Sequence, residues 1–544
     1  MSSSRLARFA AALMFAITAV AVQSPATTQA AMTVQRLAGA DRYATAAAVS
    51  AAHFPAGTPV AYMATGADFP DALSGGPAAA RAGGPVLLVT QTGIPTPIAN
   101  ELKRLRPGRI VVLGGSVAIQ DSVVRELDAY DTGGGVRRIA GADRYGTSAA
   151  VSAATFPRGV AVAYVATGAA FPDALVGGVA AARAGAPVLL TKRDALPTAI
   201  QTELTRLAPN RIIVLGGTAA VADSVLTRLR SFATSGTVTR IAGAERYATG
   251  VAISRATFTS APALYVATGV SFPDALVAVP AAAKSGGALL LVPGTSVPTA
   301  VRNEAVRLNP SRLVLLGGPR AVTDRVTFDL RVALGDLRPL PACAYRDVLT
   351  PFRAYTDWRR TLVDTILMVP SGYAPGDLVD SSNAGLNGGY SLRSHVAADL
   401  EALADAARAA GRPVQLVSAY RSYSTQKATF DHWVAVGGYE QALRTSARPG
   451  HSEHQLGTTF DFTTLGGRPP WEYADWASTS AGAWTAANAW RYGFVMSYPR
   501  NSYSKVCYDY EPWHYRYVGR TAARQVHDST LTLREWLWMG GSGG

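Results

Sequence analysis

The chain has 544 residues, 48% of them hydrophobic and 16% charged, which supplies apolar material for three or four packed domains and excludes a disordered chain. Its net charge of +14 is carried almost wholly by the part before Arg338, because acidic and basic residues nearly balance beyond it. A basic surface of that kind attracts anionic polymers: nucleic acid, anionic lipid or acidic wall glycopolymers.

The chain opens with Arg5 and Arg8, continues in a mostly apolar run from Phe9 to Val22, and reaches small polar residues ending Thr28-Gln29-Ala30. That layout predicts a secretory signal peptide over residues 1–30; a membrane anchor at 9–22 is the alternative. No other run reaches about 18 apolar residues, so the mature chain is expected to be exported, without a stable membrane span. Export favours a wall glycopolymer over nucleic acid as the anionic partner. The two cysteines, Cys343 and Cys507, are expected to pair in an oxidising exterior.

From Arg36 the sequence repeats. Arg36-Leu-Ala-Gly-Ala-Asp-Arg-Tyr-Ala-Thr45 returns at Arg138–Thr147 and at Arg240–Thr249, 102 residues apart each time. Phe69-Pro-Asp-Ala-Leu73, the apolar run at Val86 and Leu113-Gly-Gly115 recur in the same register. The period exceeds a solenoid unit of about 20–50 residues and suits tandem modules, here 31–135, 136–237 and 238–337.

Within a module, Val86–Val89 and Ile110–Leu113 show no alternation, as expected of strands buried on both faces of a parallel sheet. Between and after them lie helical patterns, Pro95–Leu105 and Ser116–Leu127, the latter with Val117, Val123, Val124 and Leu127 as its buried stripe. Each module therefore reads as α/β. Gly114-Gly115 is either a tight strand-to-helix turn or a backbone nest for an anion. Asp71 suits a helix start without any ligand, and Asp41-Arg42-Tyr43 either opens a helix or pairs with a neighbouring module.

These motifs, R-[IL]-A-G-x-[DE]-R-Y-x-T with F-P-D-A-L and L-G-G, resemble the type 2 cell-wall-binding repeats of Gram-positive surface proteins, over residues 36 to about 335. The resemblance implies non-covalent attachment to an anionic wall polymer and three modules packed with pseudo-threefold symmetry. The third module departs slightly, with Glu245 for Asp, Gly250 in the helix and a one-residue deletion.

Composition changes near Arg338: both cysteines and all nine tryptophans lie beyond it, marking a separate domain over 338–544. Ser394–Ala410 reads as an amphipathic helix with Val396, Leu400, Leu403 and Ala407 on one face. Val414–Val417 is a strand leading into Ser418-Ala-Tyr-Arg-Ser-Tyr-Ser-Thr-Gln426, and a further helix is expected over 425–433.

His454 and Asp461 share a short stretch with Gly457. Extended chain would separate them by about 23 Å, and a helix by about 10 Å. Neither distance lets both reach one ion, so the chain must turn, and Gly457 permits it. Thr459, Asp461 and Thr463 then alternate with Phe460 and Phe462, a strand with one polar and one aromatic face. His514 completes a His/Asp/His set with an open position, the arrangement of catalytic zinc. Glu511, held extended before Pro512, is placed as general base, and Arg421 as stabiliser of the carbonyl oxyanion. His451, three residues before His454, is a rival ligand, though its Pro-Gly turn favours a supporting role. His53, His395, His432 and His527 lack partner patterns.

Ser452-x-His454-x-x-Gly457-x-x-x-Asp461 with Glu511-x-x-His514, preceded by Tyr420-Arg421-Ser422 and Gln426, resembles the VanY-type D-alanyl-D-alanine carboxypeptidases of the LAS metallopeptidases, over about 392–518. The resemblance implies an α+β domain with Zn2+ on His454, Asp461 and His514, Glu511 as base, Arg421 at the carbonyl, and Ser452 and Gln426 in substrate contact. Thr459 departs from the alanine usual in the family.

The expectation is therefore a multidomain protein: three tandem parallel-sheet α/β modules followed by an α+β LAS-type zinc peptidase domain. It is expected to be secreted to the cell wall of a Gram-positive-type bacterium, held there by an anionic glycopolymer, and to remove the terminal D-alanine from peptidoglycan stem peptides. The alternatives are an L,D-carboxypeptidase, a peptidoglycan endopeptidase, or a wall adhesin with an inert peptidase domain.

Overall fold

The computed structural model describes residues 32–68, 70–351 and 361–540. The signal peptide expected over 1–30, together with Phe69 and Trp358, lies outside the described residues. Among the described residues no helix is long and apolar enough to cross a membrane.

The repeats build three four-stranded sheets in which every pairing is parallel. The first sheet runs in the order Val86–Val89, Ala61–Thr65, Ile110–Leu113, Val136–Ile139. Its three inner-sequence strands are fully buried, which explains their unbroken apolar character. The fourth strand, Val136–Ile139, comes from the beginning of the next repeat and is only partly covered. Thr237–Ile241 completes the second sheet in the same way. The third sheet is completed by Thr33–Leu37, paired with Arg312–Leu316, so the chain closes into a ring.

The first arginine of the repeat motif fastens each donated strand. Arg36 donates to Val322 O at 2.7 Å and to Asp324 at 2.7 Å. Arg138 reaches Gly114 O and Asp121 at 2.7 and 2.8 Å, and Arg240 reaches Gly216 O and Asp223 at 2.7 and 2.9 Å. Each acid opens a helix, where its charge also suits the helix dipole. Asp41 and Asp143 act differently, capping the helices that begin at Arg42 and Arg144.

Helices Pro70–Ala82, Pro172–Arg183 and Pro273–Lys284 pack on one another where the modules meet. Gly76, Gly178 and Val279 occupy the same repeat position, and a Cβ on Gly76 or Gly178 would meet the Val279 side chain at 2.9 or 3.3 Å. Two modules leave the space that the third fills. Gly114, Gly216 and Gly317 have φ of 93°, 95° and 90°. Against them lie the carboxylates of Asp71, Asp173 and Asp274, where an added Cβ would come within 2.2 to 2.3 Å. The turn reading of Gly114-Gly115 therefore describes the structure, with the chain's own carboxylate beside it.

The second helical pattern of the first repeat needs correction. The helix expected over 116–127 begins only at Asp121, and Val117 is 85% exposed. Residues 115–119 form a turn in which Ala118 and Ile119 donate to Gly115 O, and extended Gln120 donates from its backbone to Gln91 O.

The C-terminal part holds an antiparallel sheet in the order Val414–Ser418, Thr459–Thr464, His514–Tyr517, Phe494–Met496. Helix Ala397–Ala409 shares a core with it: Leu400, Leu403 and Ala407 are buried together with Phe460, Phe462 and Phe494. The first turn of that segment, Ser394–Val396, is 3-10 instead of α. The last helix, Leu533–Trp538, starts in a reciprocal cap between Thr532 and Glu535 and joins a core with Phe328 of the third repeat. Arg325 of that repeat also pairs with Glu535. Cys343 and Cys507 form a disulfide with Cα atoms 5.3 Å apart.

Candidate metal centre and active site

The turn expected at Gly457 is a short 3-10 helix, Glu453–Leu456, ended by Gly457 at φ +70°. Ser452 caps it, its hydroxyl accepting from His454 N at 3.3 Å. The chain then enters the strand that carries Asp461, whose register partner in the next strand is His514. Two of the expected ligands are thus cross-strand neighbours, and the 3-10 turn brings the third beside them. Phe460 and Phe462 point the other way, into an aromatic core with Phe494 and Tyr515.

The donor atoms converge. His454 Nε2 lies 3.2 Å from Asp461 Oδ2, His514 Nδ1 lies 3.2 Å from Asp461 Oδ1, and one donor atom from each of the three residues falls within 4.8 Å of the others. The remaining ring nitrogens are engaged elsewhere: His454 Nδ1 donates to Ala419 O at 2.6 Å, and His514 Nε2 faces Glu453 Oε2 at 3.1 Å. Each imidazole therefore has one nitrogen engaged outside the cluster and directs the other at the common centre. His454 Nε2 and Asp461 Oδ1 are buried with no hydrogen-bond partner, the condition a metal ion would relieve. Two imidazoles and a carboxylate are a donor set suited to zinc.

Electrostatics point the same way. Burial and nearby Arg421 hold the His454 imidazole down at about 4, so it is neutral and able to ligate. Burial would raise Asp461, but His454 and His514 hold it well below the usual carboxylate range. Burial would lower His514, but the carboxylates of Asp461 and Glu453 beside it hold it up at about 10. In the metal-free chain a proton on His514 thus supplies the positive charge that this cluster of carboxylates requires.

Glu511 approaches His514 Nδ1 at 3.4 Å, and its backbone N–H donates to Tyr498 O at 3.1 Å. Burial pushes its carboxyl up to about 8, opposed by His514 and reinforced by Asp461. Arg421 lies 3.6 Å from Asp461 Oδ2 and is steadied by Ser418 Oγ at 2.6 Å and Gln426 Oε1 at 2.8 Å. Glu511, Arg421, Ser452, Asp461 and His514 all line one cavity of about 580 Å3, walled by Trp471 and other aromatic side chains.

Gln426 was expected to touch substrate. The structure buries it completely behind Arg421, with its amide also donating to Ala447 O at 2.6 Å, so its bonding groups hold the guanidinium in place. His451 stands apart from the ligand cluster, its ring bonded to Asp364 O at 2.7 Å and Asp347 at 3.0 Å. Thr459 is fully buried opposite Arg516 in the strand pair. Sequence reasoning missed Glu453, Ser497 and Arg516, which form a buried group behind His514. The available signal was an acid between Ser452 and His454 and an arginine two residues after His514.

The sequence profile described as VanY, D-alanyl-D-alanine carboxypeptidase, matches residues 389–520, and that of cell wall binding domain 2 matches 36–124, 138–226 and 240–327. YodJ of Bacillus subtilis (strain 168), described as a carboxypeptidase, is 38% identical over 181 residues, 32% of this chain and 66% of that protein. A D-alanyl-D-alanine carboxypeptidase of Enterococcus faecalis (strain ATCC 700802 / V583) is 31% identical over 190 residues, 33% of this chain and 66% of its own length. The chain thus spans just under two thirds of both relatives. Cwp6 from Clostridium difficile shares the fold, with a TM-score of 0.52 at 20% identity over 74% of this chain and 62% of that one. The chain therefore has a VanY D-alanyl-D-alanine carboxypeptidase domain at its C-terminal part, over residues 389–520, and three cell wall binding domain 2 repeats ahead of it.

Proposed function

We propose that this chain is a secreted zinc carboxypeptidase, held at the cell wall by its repeats, that removes the terminal D-alanine from peptidoglycan stem peptides. The observation that carries this reading is the convergence of His454, Asp461 and His514, the last two lining a cavity that also presents Glu511 and Arg421. Zinc held by these three residues would polarise the scissile carbonyl and acidify the attacking water. Glu511 is the group beside that centre able to take the water's proton and return it to the departing amine. Arg421 keeps its charge directed at the cavity through Ser418 and Gln426, where it stabilises the developing oxyanion. Ser452, fixed as a cap beside His454, offers its hydroxyl to the substrate's end.

The repeats carry the basic excess of the chain and so favour an anionic glycopolymer as the wall partner. Binding to isolated walls should fall with added salt and vanish when anionic polymers are stripped; unchanged binding after stripping would contradict this.

The test of activity is mass spectrometry of peptidoglycan pentapeptides after incubation with the zinc-loaded chain. Loss of one alanine supports the proposal. Release of alanine from tetrapeptides alone would replace it with an L,D specificity, and cleavage of cross-links with an endopeptidase. No product, from protein that retains no zinc by elemental analysis, would leave the wall adhesin.

A further inference from the structure

We propose that Glu453 is a positioning residue for the metal site: its carboxylate fixes the ring of His514 with Nδ1 turned to Asp461, and thereby sets how tightly the site holds its ion. This rests on the zinc reading above.

Glu453 sits between the cap Ser452 and the ligand His454, yet its side chain turns away from the cavity to the far side of His514. Both its oxygens are used. Oε1 accepts from Arg516 Nη1 at 2.9 Å, while Oε2 accepts from Ser497 Oγ at 2.5 Å and faces His514 Nε2 at 3.1 Å. Arg516 is itself fully buried and tied to Thr361 O at 2.6 Å. Charge neutralisation alone would need only the Arg516 contact. The second oxygen is instead aimed at the imidazole and held there by a hydroxyl, and Ser497 also donates its backbone N–H to His514 O at 3.2 Å.

The two histidines are treated unequally. His454 is oriented by a neutral carbonyl, Ala419 O, and His514 by a carboxylate. A carboxylate behind a ligating imidazole raises its donor strength as well as fixing its plane, and loss of such a partner weakens metal binding by about 10–100-fold.

The experiment measures zinc affinity of the full chain by competition with a chromophoric chelator, alongside thermal unfolding of the metal-free protein. Glu453→Gln keeps the volume and removes the charge; it should bind zinc about 10–100-fold more weakly than the original chain. Equal affinity combined with lower metal-free stability would show that Glu453 only neutralises Arg516, and would overturn the proposal. Ser497→Ala leaves the Glu453–Arg516 pair intact and serves if the first variant fails to fold. Several-fold weaker zinc binding at unchanged metal-free stability supports the proposal, and unchanged affinity defeats it. An original chain that takes up no zinc would instead sink the reading of the site itself.

Discussion

The meeting point of the three repeats gives a sharp test of their packing. Gly76, Gly178 and Val279 share one repeat position, and a Cβ on Gly76 would stand 2.9 Å from Val279 Cγ1 and 3.0 Å from its Cβ. The second contact cannot be relieved by a rotamer change, because Cβ is fixed by the helix backbone. Gly76→Val should therefore cost about 2–3 kcal/mol, the upper part of the range for overpacking. Val279→Gly removes a side chain that is 3% exposed and should also cost about 2–3 kcal/mol in lost burial and helix propensity. Combined, the two changes merely move the valine to another member of the same cluster, so the double variant should lie within about 1 kcal/mol of the original, far from the sum of the singles. Urea unfolding followed by far-UV circular dichroism reads the repeats, while tryptophan fluorescence reads only the C-terminal domain, which holds every tryptophan. Additivity of the two changes to within about 0.5 kcal/mol would refute the shared space.

Glu511→Gln should lower kcat by about 10²–10⁴-fold, with zinc content retained at one ion per chain, because the residue lies beside the ligand set without being needed to complete it; loss of zinc with activity would make it a ligand instead. Arg516, His514 and Ser497 hold Glu453 at about 2 against their opponent, burial, compared with 4.5 for the ordinary group. A depressed carboxylate contributes stability above its unfolded value and loses it as pH falls, here between about 4.5 and 2, so about 3 kcal/mol should disappear across that window in the metal-free chain and not in Glu453→Gln. Parallel acid titrations of both proteins, followed by unfolding free energy, check the sign and size. Reduction of Cys343–Cys507, which are 164 residues apart, should destabilise the C-terminal domain by about 5 kcal/mol on the chain-entropy account, read by tryptophan fluorescence with and without reductant. Arg36→Ala should cost about 1.5–3 kcal/mol, since Arg36 and Asp324 are each 15% exposed, whereas Arg138→Ala and Arg240→Ala face acids 69% and 76% exposed and should cost less. Equal losses for all three arginines would refute that ranking.

The candidate ligand set was legible because one short stretch constrains its own geometry. His454 and Asp461 cannot share an ion unless the chain turns between them, and Gly457, at φ +70°, is where it turns. The alternation from Thr459 to Thr463 then gave the strand and its aromatic face without further information. Glu453 was hidden for the opposite reason: its partners Ser497, His514 and Arg516 lie 44, 61 and 63 residues away, and an acid beside a histidine has no local pattern that names its distant contacts. Gln426 could be placed near Arg421 from spacing, but whether its amide meets substrate or the arginine depends on the Ala447 carbonyl across the loop.

The repeats show a different limit. A period of 102 residues fixes how often a unit recurs and leaves open where along the period the sheet is divided. Taken from its most recognisable motif, a repeat begins with the strand that pairs with the previous repeat's sheet, so the unit seen in sequence and the unit that packs are out of phase by one strand. That offset becomes a ring because Thr33–Leu37 pairs with the sheet of the last repeat. The closure also reaches the C-terminal domain: Arg36 holds Asp324 at the start of the helix whose Phe328 and Arg325 meet the final helix, Leu533–Trp538. Residues near the two ends of the described chain are therefore joined through a single helix of the third repeat. An arginine of the strand that closes the ring of repeats is, two side chains further on, part of the support on which the C-terminal domain rests.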